Sequence, residues 1–339
     1  MTSALALRVS REEAESARLR LRAGGLLDAD RAIVLHEGRV LLPQRSQPMD
    51  AHLADVVTAE LPPQSRPRPP IVKIREAARL PARLRDHLPK RWKRLGDVVV
   101  VRIPRGLWDN REEVGRAFGQ VLRATAVLAE VGGIGGPLRE PQVERIWGEA
   151  TEAVVIENGV RFTFDAERIM FSSGNLRERI RMGTMPAAGE TVVDLFAGIG
   201  YFAIPMGVHS RARRIIACEL NPDAFRYLVE NCRLNRASSI EPRLGDCREV
   251  APRGVADRVV MGYLDAAPFL PVAFEAIRPH GGWLHYHEAG PDGKPDLATH
   301  RVTAAARDAG FRVLAVASRR LKSVGPRVGH WVVDANVAR

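Results

Sequence analysis

The chain has 339 residues, of which 45% are hydrophobic and 27% charged, a composition typical of soluble globular proteins. This length predicts two domains with a sizeable core and a smaller module beside them. The sequence contains no run of about 18 apolar residues and no apolar signal-peptide core near its start. We therefore expect no transmembrane helix and a cytoplasmic protein.

The formal net charge is +11 and the isoelectric point is about 10.3. A polyanionic partner, most simply nucleic acid, is the natural inference. However, 46 of the 51 basic residues are arginine, a bias that genome composition also produces. Residues 61–95 carry eleven basic and two acidic residues around Trp92. This segment suits phosphate contact with base stacking, and a solvated, partly disordered linker is the alternative.

The three cysteines have no paired spacing, which favours neither a disulfide framework nor a zinc site. They are Cys218, Cys232 and Cys247. We expect reduced, mostly buried thiols.

The first zone, residues 1–60, reads as a small β-α-β-β module. "LALRV" predicts a strand, and Ser10 with Glu13 forms a capping box before a helix that ends at Gly24. "AIVLHEGRVLLP" predicts a hairpin with Gly38 in its turn. Five prolines within residues 62–70 then predict a hinge or linker.

The second zone, residues 61–185, is predicted to be a basic α/β domain that contacts the substrate. Strands are expected at "GDVVVVRIP", "AVVIENG" and "VRFTFD", and a helix at "REEVGRAFGQVLRATA". Between them, "GGIGGPLREPQVERIWG" is interpreted as a loop containing Arg139 and Arg145. That loop either faces nucleic acid or substrate, or is merely structural.

The third zone, residues 186–339, alternates strands and helices as in a doubly wound sheet. Seven strands are expected, at "TVVDLF", "RIIACEL", "IEPRLGD", "DRVVMGYL", "GGWLHYHEA", "FRVLAVASRRLKSV" and "HWVVDANV". The last two are close enough to form an antiparallel hairpin. This α/β layout predicts the seven-stranded, Rossmann-like catalytic domain of class I S-adenosylmethionine-dependent transferases, which leaves the function open.

A glycine turn between the first strand and helix of this zone predicts a cofactor site. In "TVVDLFAGIGYFAIP", Gly198, Gly200 and Ala203 loosely fit a dinucleotide-binding fingerprint, and Glu219 follows about twenty residues later. The glycines would let the backbone approach the cofactor. A nicotinamide dinucleotide is therefore a rival to S-adenosylmethionine.

Two carboxylates favour S-adenosylmethionine. Asp194 ends the first strand just before the glycines, where it would repel a pyrophosphate but suit a cationic, phosphate-free cofactor. Asp246 ends the third strand, where it can accept a hydrogen bond from an adenine amino group. Acids at the ends of three neighbouring strands would surround a sulfonium nucleoside.

At these residues the chain resembles the enzymes that modify the base at tRNA position 37. The resemblance is carried by "DLFAGIGYFAIP", "LHYHEA" and "KSVGPRVGHWVVD", and extends over most of residues 1–339. The family has two main branches, the guanine-37 N1-methyltransferases and the wybutosine-pathway aminocarboxypropyltransferases.

Two stretches separate the branches. Methyltransferases carry Asn-Leu-Pro after the fourth strand, where this chain has Gly262, Tyr263 and Leu264 in "MGYLDAAP". They also typically carry Phe-Ser-Pro-Arg where "FSSGN" stands here. The resemblance therefore implies a short archaeal-type aminocarboxypropyltransferase acting on 4-demethylwyosine at the anticodon arm of tRNA(Phe), with no obligatory protein partner. Guanine-37 methyl transfer is the first alternative, and a noncatalytic tRNA-binding protein is the second.

The resemblance also implies roles for the residues around the nucleoside. Glu219 should hold the ribose hydroxyls, and Asp246 with Cys247 the adenine. For Cys247 the alternative is a packing thiol of which only the backbone N–H matters. Asp194 should shape the pocket.

The methionine part of the cofactor is expected at "FSSGNLRER". Ser172 and Arg179 should bind it, with Arg179 a partner for its carboxylate, and Asn175 belongs to the same binding stretch. The alternative for Arg179 is a surface ion pair with an acid such as Glu178.

Catalysis should consist mainly of positioning, with an acceptor for the proton displaced from the base. Asp265 and Tyr263, just after the fourth strand, are the candidates for that acceptor. His285 and His287 share one face of a strand, but with Glu288 they make an incomplete ligand set. We expect no metal there and a structural or substrate-edge role for both histidines.

Overall fold

The computed structural model describes residues 2–46, 55–64, 68–294 and 296–339. The chain divides into two compact units, residues 1–72 and 73–339. The division of the chain into three domains at residues 60 and 185 stays a prediction. The proline-rich stretch 62–70 lies partly outside the described residues.

The first unit is a four-stranded antiparallel sheet with one helix. Its elements are β1 (Thr2–Val9), α1 (Ala14–Ala23), β2 (Val34–His36), β3 (Arg39–Pro43) and β4 (Val56–Leu61), with strand order β2-β3-β1-β4. Glu37 and Gly38 both have positive φ, 49° and 78°, as a two-residue hairpin turn requires. The predicted strand, helix and hairpin are confirmed, and β4 is an additional strand.

The capping box before α1 forms as expected. The backbone N–H of Glu13 donates to Ser10 Oγ at 3.2 Å, and the backbone N–H of Ser10 donates to Glu13 Oε2 at 3.3 Å. Each side chain thereby satisfies a backbone donor of the other residue.

The second unit begins with a mixed sheet of strand order β5-β6-β7-β8. Its elements are α2 (Pro70–Ala77), which spans the division between the units, α3 (Ala82–Arg85), β5 (Trp92–Leu95), β6 (Val98–Val101), α4 (Arg111–Leu122), β7 (Ala126–Gly135) and β8 (Glu140–Gly148). The interpretation of residues 132–148 as a loop is wrong, because β7 and β8 form a long hairpin there. Residues 70–95 of the basic segment include α2, α3 and β5, and Trp92 packs edge-on against Phe118 with centroids 5.6 Å apart. The disordered-linker alternative is therefore wrong for this part.

A two-stranded ribbon follows, formed by β9 (Glu152–Glu157) and β10 (Val160–Asp165), and then α5 (Leu176–Gly183). Two amides of a later helix bind the ribbon. Asn231 Oδ1 accepts from Thr163 N and Asn235 Oδ1 accepts from Arg161 N, each at 2.8 Å. These bonds satisfy backbone donors of β10 that its partner strand does not reach.

The seven-stranded sheet has the order β13-β12-β11-β14-β15-β17-β16. Its strands are β11 (Thr191–Asp194), β12 (Arg214–Glu219), β13 (Ile240–Leu244), β14 (Arg258–Met261), β15 (Gly282–Pro291), β16 (Arg312–Gly325) and β17 (Val328–Ala338). Its helices are α6 (Ala203–His209), α7 (Pro222–Leu234), α8 (Cys247–Val250), α9 (Leu270–Ala276) and α10 (Leu297–Asp308). Only β17 runs antiparallel to its neighbours, which confirms the predicted layout.

The core lies on both faces of this sheet. Val192 packs into the cluster on one face and Val193 into the cluster on the other, and neither is exposed. Central parallel strands covered on both faces need such continuous apolar runs. None of the helices within the described residues has the length and apolar character needed to cross a membrane.

Candidate active site

Three acids lie at the carboxyl edge of the sheet. Asp194 ends β11, Glu219 ends β12, and Asp246 follows β13 after Gly245. Because β11, β12 and β13 run parallel, their ends meet at one edge. A cavity of about 760 Å³ opens there.

Most of the predicted site residues line this cavity. They are Ser172, Asn175, Arg179, Gly198, Glu219, Asp246, Cys247, Tyr263 and Asp265. Asp194 and Gly200 are not part of the lining.

Asp194 is a buried carboxyl group with a free oxygen. It is 1% exposed, its Oδ1 accepts from Phe196 N at 3.2 Å, and its Oδ2 has no partner in the described structure. Burial, together with the negative charge of Glu219, raises the pKa of Asp194 to about 7. A positive charge nearby would favour the ionised form.

Glu219 links the glycine turn that follows β11 to the end of β12 by hydrogen bonds. Its Oε2 accepts from Gly198 N and its Oε1 from Asn221 N, both at 2.7 Å, while burial raises its pKa. Gly198 has a φ of 58°, and a Cβ there would lie 2.5 Å from the ring of Tyr201. The turn therefore needs glycine at this position.

Asp246 and Cys247 begin the short helix α8. Asp246 Oδ1 accepts from Arg248 N at 2.9 Å, and the Arg248 guanidinium beside it lowers its pKa. Cys247 is 4% exposed, and burial raises its pKa to about 11. A protonated, buried thiol fits the packing alternative, and both adenine contacts stay predictions.

Arg179 is buried and already paired. Its Nε and Nη2 donate to the two carboxylate oxygens of Glu157 at 2.6 and 2.9 Å, and its Nη1 donates to Ser172 O at 3.0 Å. The alternative of a surface pair with Glu178 is therefore wrong, since Glu178 pairs with Arg181 at 2.6 Å. Arg179 holds the backbone of the serine stretch in place, and its contact with the methionine part stays a prediction.

Tyr263 forms an aromatic wall of the cavity. Its ring centroid lies 5.2 Å from that of Phe196, and the Arg139 guanidinium lies 5.6 Å above it. Burial and the neighbouring negative Asp265 raise the pKa of Tyr263. Asp265 is exposed at the rim, and the proton-accepting role of both residues stays a prediction.

The strand histidines are buried in polar networks. His285 Nδ1 lies 2.5 Å from Asp334 Oδ1, and His287 Nδ1 lies 3.0 Å from His330 Nε2. Of the three histidines, His330 lines the cavity. Across the described ranges, no group of three or more His, Cys, Asp or Glu residues is arranged to hold a metal ion.

Sequence reasoning gave no role to three basic residues that line the cavity. They are Arg168, Lys322 and His330. Lys322 and His330 lie within "KSVGPRVGHWVVD", so the motif itself was the available signal. What it does not reveal is that the hairpin of β16 and β17 reaches the carboxyl edge of the sheet.

The order of the seven strands and the acids at the carboxyl edge of the sheet define a class I S-adenosylmethionine-dependent transferase fold. A model of the TRM5/TYW2 methyltransferase domain matches residues 153–314, and one of the TYW2 N-terminal domain matches residues 74–151. The chain belongs to the TRM5/TYW2 family.

Relatives of both branches are similar to this chain. The tRNA(Phe) (4-demethylwyosine(37)-C(7)) aminocarboxypropyltransferase of Methanocaldococcus jannaschii is 37% identical over 74% of this chain and 98% of its own length. The tRNA (guanine(37)-N(1))-methyltransferase Trm5b of Pyrococcus abyssi is 35% identical over 98% of this chain and 99% of its own. The crystal structure of Pyrococcus horikoshii TYW2 in complex with MeSAdo superposes with a TM-score of 0.70 at 31% identity, covering 79% of this chain and 99% of that one.

Proposed function

We propose that the protein transfers the 3-amino-3-carboxypropyl group of S-adenosylmethionine to 4-demethylwyosine at position 37 of tRNA(Phe). Methylthioadenosine is the other product. Relatives named as aminocarboxypropyltransferases, at 35–37% identity over at least 96% of their own length, support this activity. A tRNA substrate accords with the cytoplasmic location expected from the sequence.

Gly262 supports the choice of the aminocarboxypropyltransferase branch over the methyltransferase branch. A Cβ at this position would lie 2.6 Å from Cε2 of Phe202, whose ring is 5% exposed in the core. The asparagine of the methyltransferase motif therefore has no room here unless Phe202 moves. This packing supports a base pocket that differs from that of the methyltransferases.

The chain's residues fit the proposed donor. Asp194 is buried, Glu219 beside it is half-buried, and Asp194 Oδ2 has no partner in the described structure. A sulfonium nucleoside with an ammonium group supplies the missing positive charge, whereas the pyrophosphate of a dinucleotide would add negative charge. When bound, S-adenosylmethionine supplies an electrophilic γ-carbon.

The residues of the cavity position the reactants. Glu219 and the Gly198 turn form the nucleoside end, and Ser172 belongs to the other end. Between them, Tyr263 with the Arg139 guanidinium above it offers a flat surface for a tricyclic base of the anticodon arm. Small differences in how the donor is held decide which carbon faces the base.

The second candidate is methyl transfer to guanine-37, favoured by the Trm5b relative that spans nearly the whole chain. Mass spectrometry after incubation with S-adenosylmethionine separates the two when two acceptors are used in parallel, tRNA(Phe) bearing the tricyclic precursor and tRNA(Phe) with an unmodified guanine-37. Methylthioadenosine with a correspondingly heavier tRNA base is the expected result. S-adenosylhomocysteine with a methylated base would instead establish the second candidate. Cofactor binding without either product on both acceptor tRNAs would favour the noncatalytic alternative.

A further inference from the structure

The hairpin of β16 and β17 places a lysine in the cavity. Lys322 on β16 is directly opposite His330 on β17, and both side chains line the cavity. Nζ of Lys322 donates a hydrogen bond to Ser172 Oγ at 2.9 Å. The ammonium group of Lys322 on β16 therefore contacts Ser172, which lies in the segment before α5.

Lys322 differs from three other cations that line the cavity, each of which is paired with an acid. Arg179 pairs with Glu157, Lys93 with Glu130 and Arg168 with Asp223. No carboxylate of the described ranges forms an ion pair with Lys322, which is half-buried.

The immediate neighbours of Lys322 do not compensate its charge. Burial and the positive Arg179 and Lys93 lower the pKa of Lys322. His330 beside it stays neutral, because burial and the charge of Lys322 lower the pKa of His330 to about 4. An anion in the cavity would relieve this accumulation of positive charge.

Gly174 leaves room for such an anion and for the lysine tip. A Cβ on Gly174 would lie 3.1 Å from Nζ of Lys322. Ser172 Oγ accepts a hydrogen bond from Lys322 Nζ, and its own hydroxyl proton remains free to donate to a ligand. Nζ and Oγ therefore form a pair of donors that suits the two oxygens of a carboxylate.

We propose that Lys322 and Ser172 bind the α-carboxylate of the aminocarboxypropyl group of S-adenosylmethionine. This inference rests on the proposed donor and deepens the proposed function. Fixing the carboxylate holds the far end of the transferred group and so determines where its γ-carbon lies. Arg179 then acts on the donor indirectly, by holding Ser172 through its carbonyl oxygen.

Two nucleosides test the assignment by calorimetry on the full chain without tRNA. S-adenosylhomocysteine carries the amino acid part, and methylthioadenosine lacks it. We expect Lys322→Met to weaken binding of S-adenosylhomocysteine about tenfold or more, since a charge-assisted hydrogen bond is lost. Binding of methylthioadenosine should change less than about twofold, and Lys322→Arg should restore part of the loss.

Arg312→Met is the matched control. Arg312 lies on the same strand, is exposed and is outside the cavity, so its removal takes away one positive charge at a distance. Gly174→Val gives a second variant, in which a side chain displaces the lysine tip. Gly174→Val should weaken binding of S-adenosylhomocysteine more than binding of methylthioadenosine, as is expected for Lys322→Met.

The assignment would be overturned if Lys322→Met weakened binding of the two nucleosides equally, or weakened binding of neither. A loss for Arg312→Met as large as that for Lys322→Met would also overturn it, because general electrostatics would then explain the effect. Because these measurements need no acceptor, they stand apart from the product analysis. A methylated tRNA base from the wild-type protein would overturn the proposed function and leave the binding result intact.

Discussion

The carboxylate of Glu219 adds to burial in raising the pKa of Asp194 to about 7. The two residues end the adjacent parallel strands β12 and β11, so the topology itself brings the two acids together. With its pKa raised in this way, the Asp194 carboxyl group of the free protein loses its proton near neutral pH.

Replacing Asp194 should therefore remove part of the pH dependence of the free energy of unfolding. Its folded pKa lies above its unfolded value of 3.8, so its contribution to stability is present below about pH 4 and is lost as the pH rises to about 7. The loss is at most about 4 kcal/mol, from about 1.36 kcal/mol per pH unit. Urea unfolding of the ligand-free wild type and Asp194→Asn, compared at pH 5 and pH 8, measures the part of this loss above pH 5, which is about 2.7 kcal/mol. A difference between the two proteins that does not change with pH would contradict this prediction.

Glu219→Ala should weaken binding of S-adenosylhomocysteine by about tenfold or more, because two backbone donors lose their acceptor and the glycine turn is released. Glu219→Gln should weaken this binding less, since its amide oxygen can still accept one of the two hydrogen bonds. Calorimetry gives both affinities. Glu249→Gln, exposed on α8, is the control and should bind as the wild type does. Wild-type affinity in Glu219→Ala would exclude a role for the carboxylate.

Asp334 is the centre of a buried ion network behind the site. Burial acts to raise its pKa, but the hydrogen bond with His285 and the charges of Arg181 and Arg319 outweigh burial and hold the pKa well below its usual range. The resulting stabilisation is present above about pH 4 and is lost as the pH falls below it.

Asp334→Asn should lower the free energy of unfolding at pH 7 by about 1–3 kcal/mol, because the partly buried guanidinium groups of Arg181 and Arg319 lose a charged acceptor. The matched control is Asp292→Asn, whose partner Arg320 is 40% exposed. That change should cost much less, because an ion pair exposed to solvent contributes little to stability. Similar losses for the two variants, measured by urea unfolding, would show that burial of the network contributes nothing.

The contact between Gly262 and Phe202 can be tested by a double-mutant cycle. Gly262→Ala should destabilise the protein by about 1–3 kcal/mol through overpacking. Phe202→Leu should reduce the cost of Gly262→Ala, because the shorter side chain makes room for the added methyl. Gly133→Ala, where a Cβ meets no atom within 4 Å, is the control. Additive effects of the two changes would mean that the ring does not fill this space.

The sequence predicts the acids of the site well because their positions follow from topology alone. Asp194, Glu219 and Asp246 follow apolar strands, and parallel strands bring their carboxyl ends to one edge. The reason for Gly262 is not visible in the sequence, since Phe202 lies sixty residues away and the contact exists only after packing. Likewise, the partner of Arg179 is Glu157 on the ribbon rather than the adjacent Glu178.

Composition misled the interpretation of residues 132–148. Glycine and proline usually punctuate elements, yet here β7 and β8 pair through them with register shifts, and the far end of the hairpin is largely exposed. An exposed hairpin end tolerates glycine because no side chain is needed to fill a core there. Its turn then brings Arg139 over Tyr263, a contact that no local pattern indicates.

The first unit should be dispensable for binding the donor. Every residue that lines the cavity lies between Lys93 and His330, within residues 73–339. The aminocarboxypropyltransferase of M. jannaschii aligns with 74% of this chain over 98% of its own length, so about a quarter of this chain has no counterpart there. A protein of residues 68–339, which keeps α2 whole, should bind S-adenosylhomocysteine within about twofold of the full chain, which corresponds to less than about 0.5 kcal/mol. Circular dichroism would establish that the shortened chain is folded. A folded but non-binding product would show that residues 1–67 support the cavity.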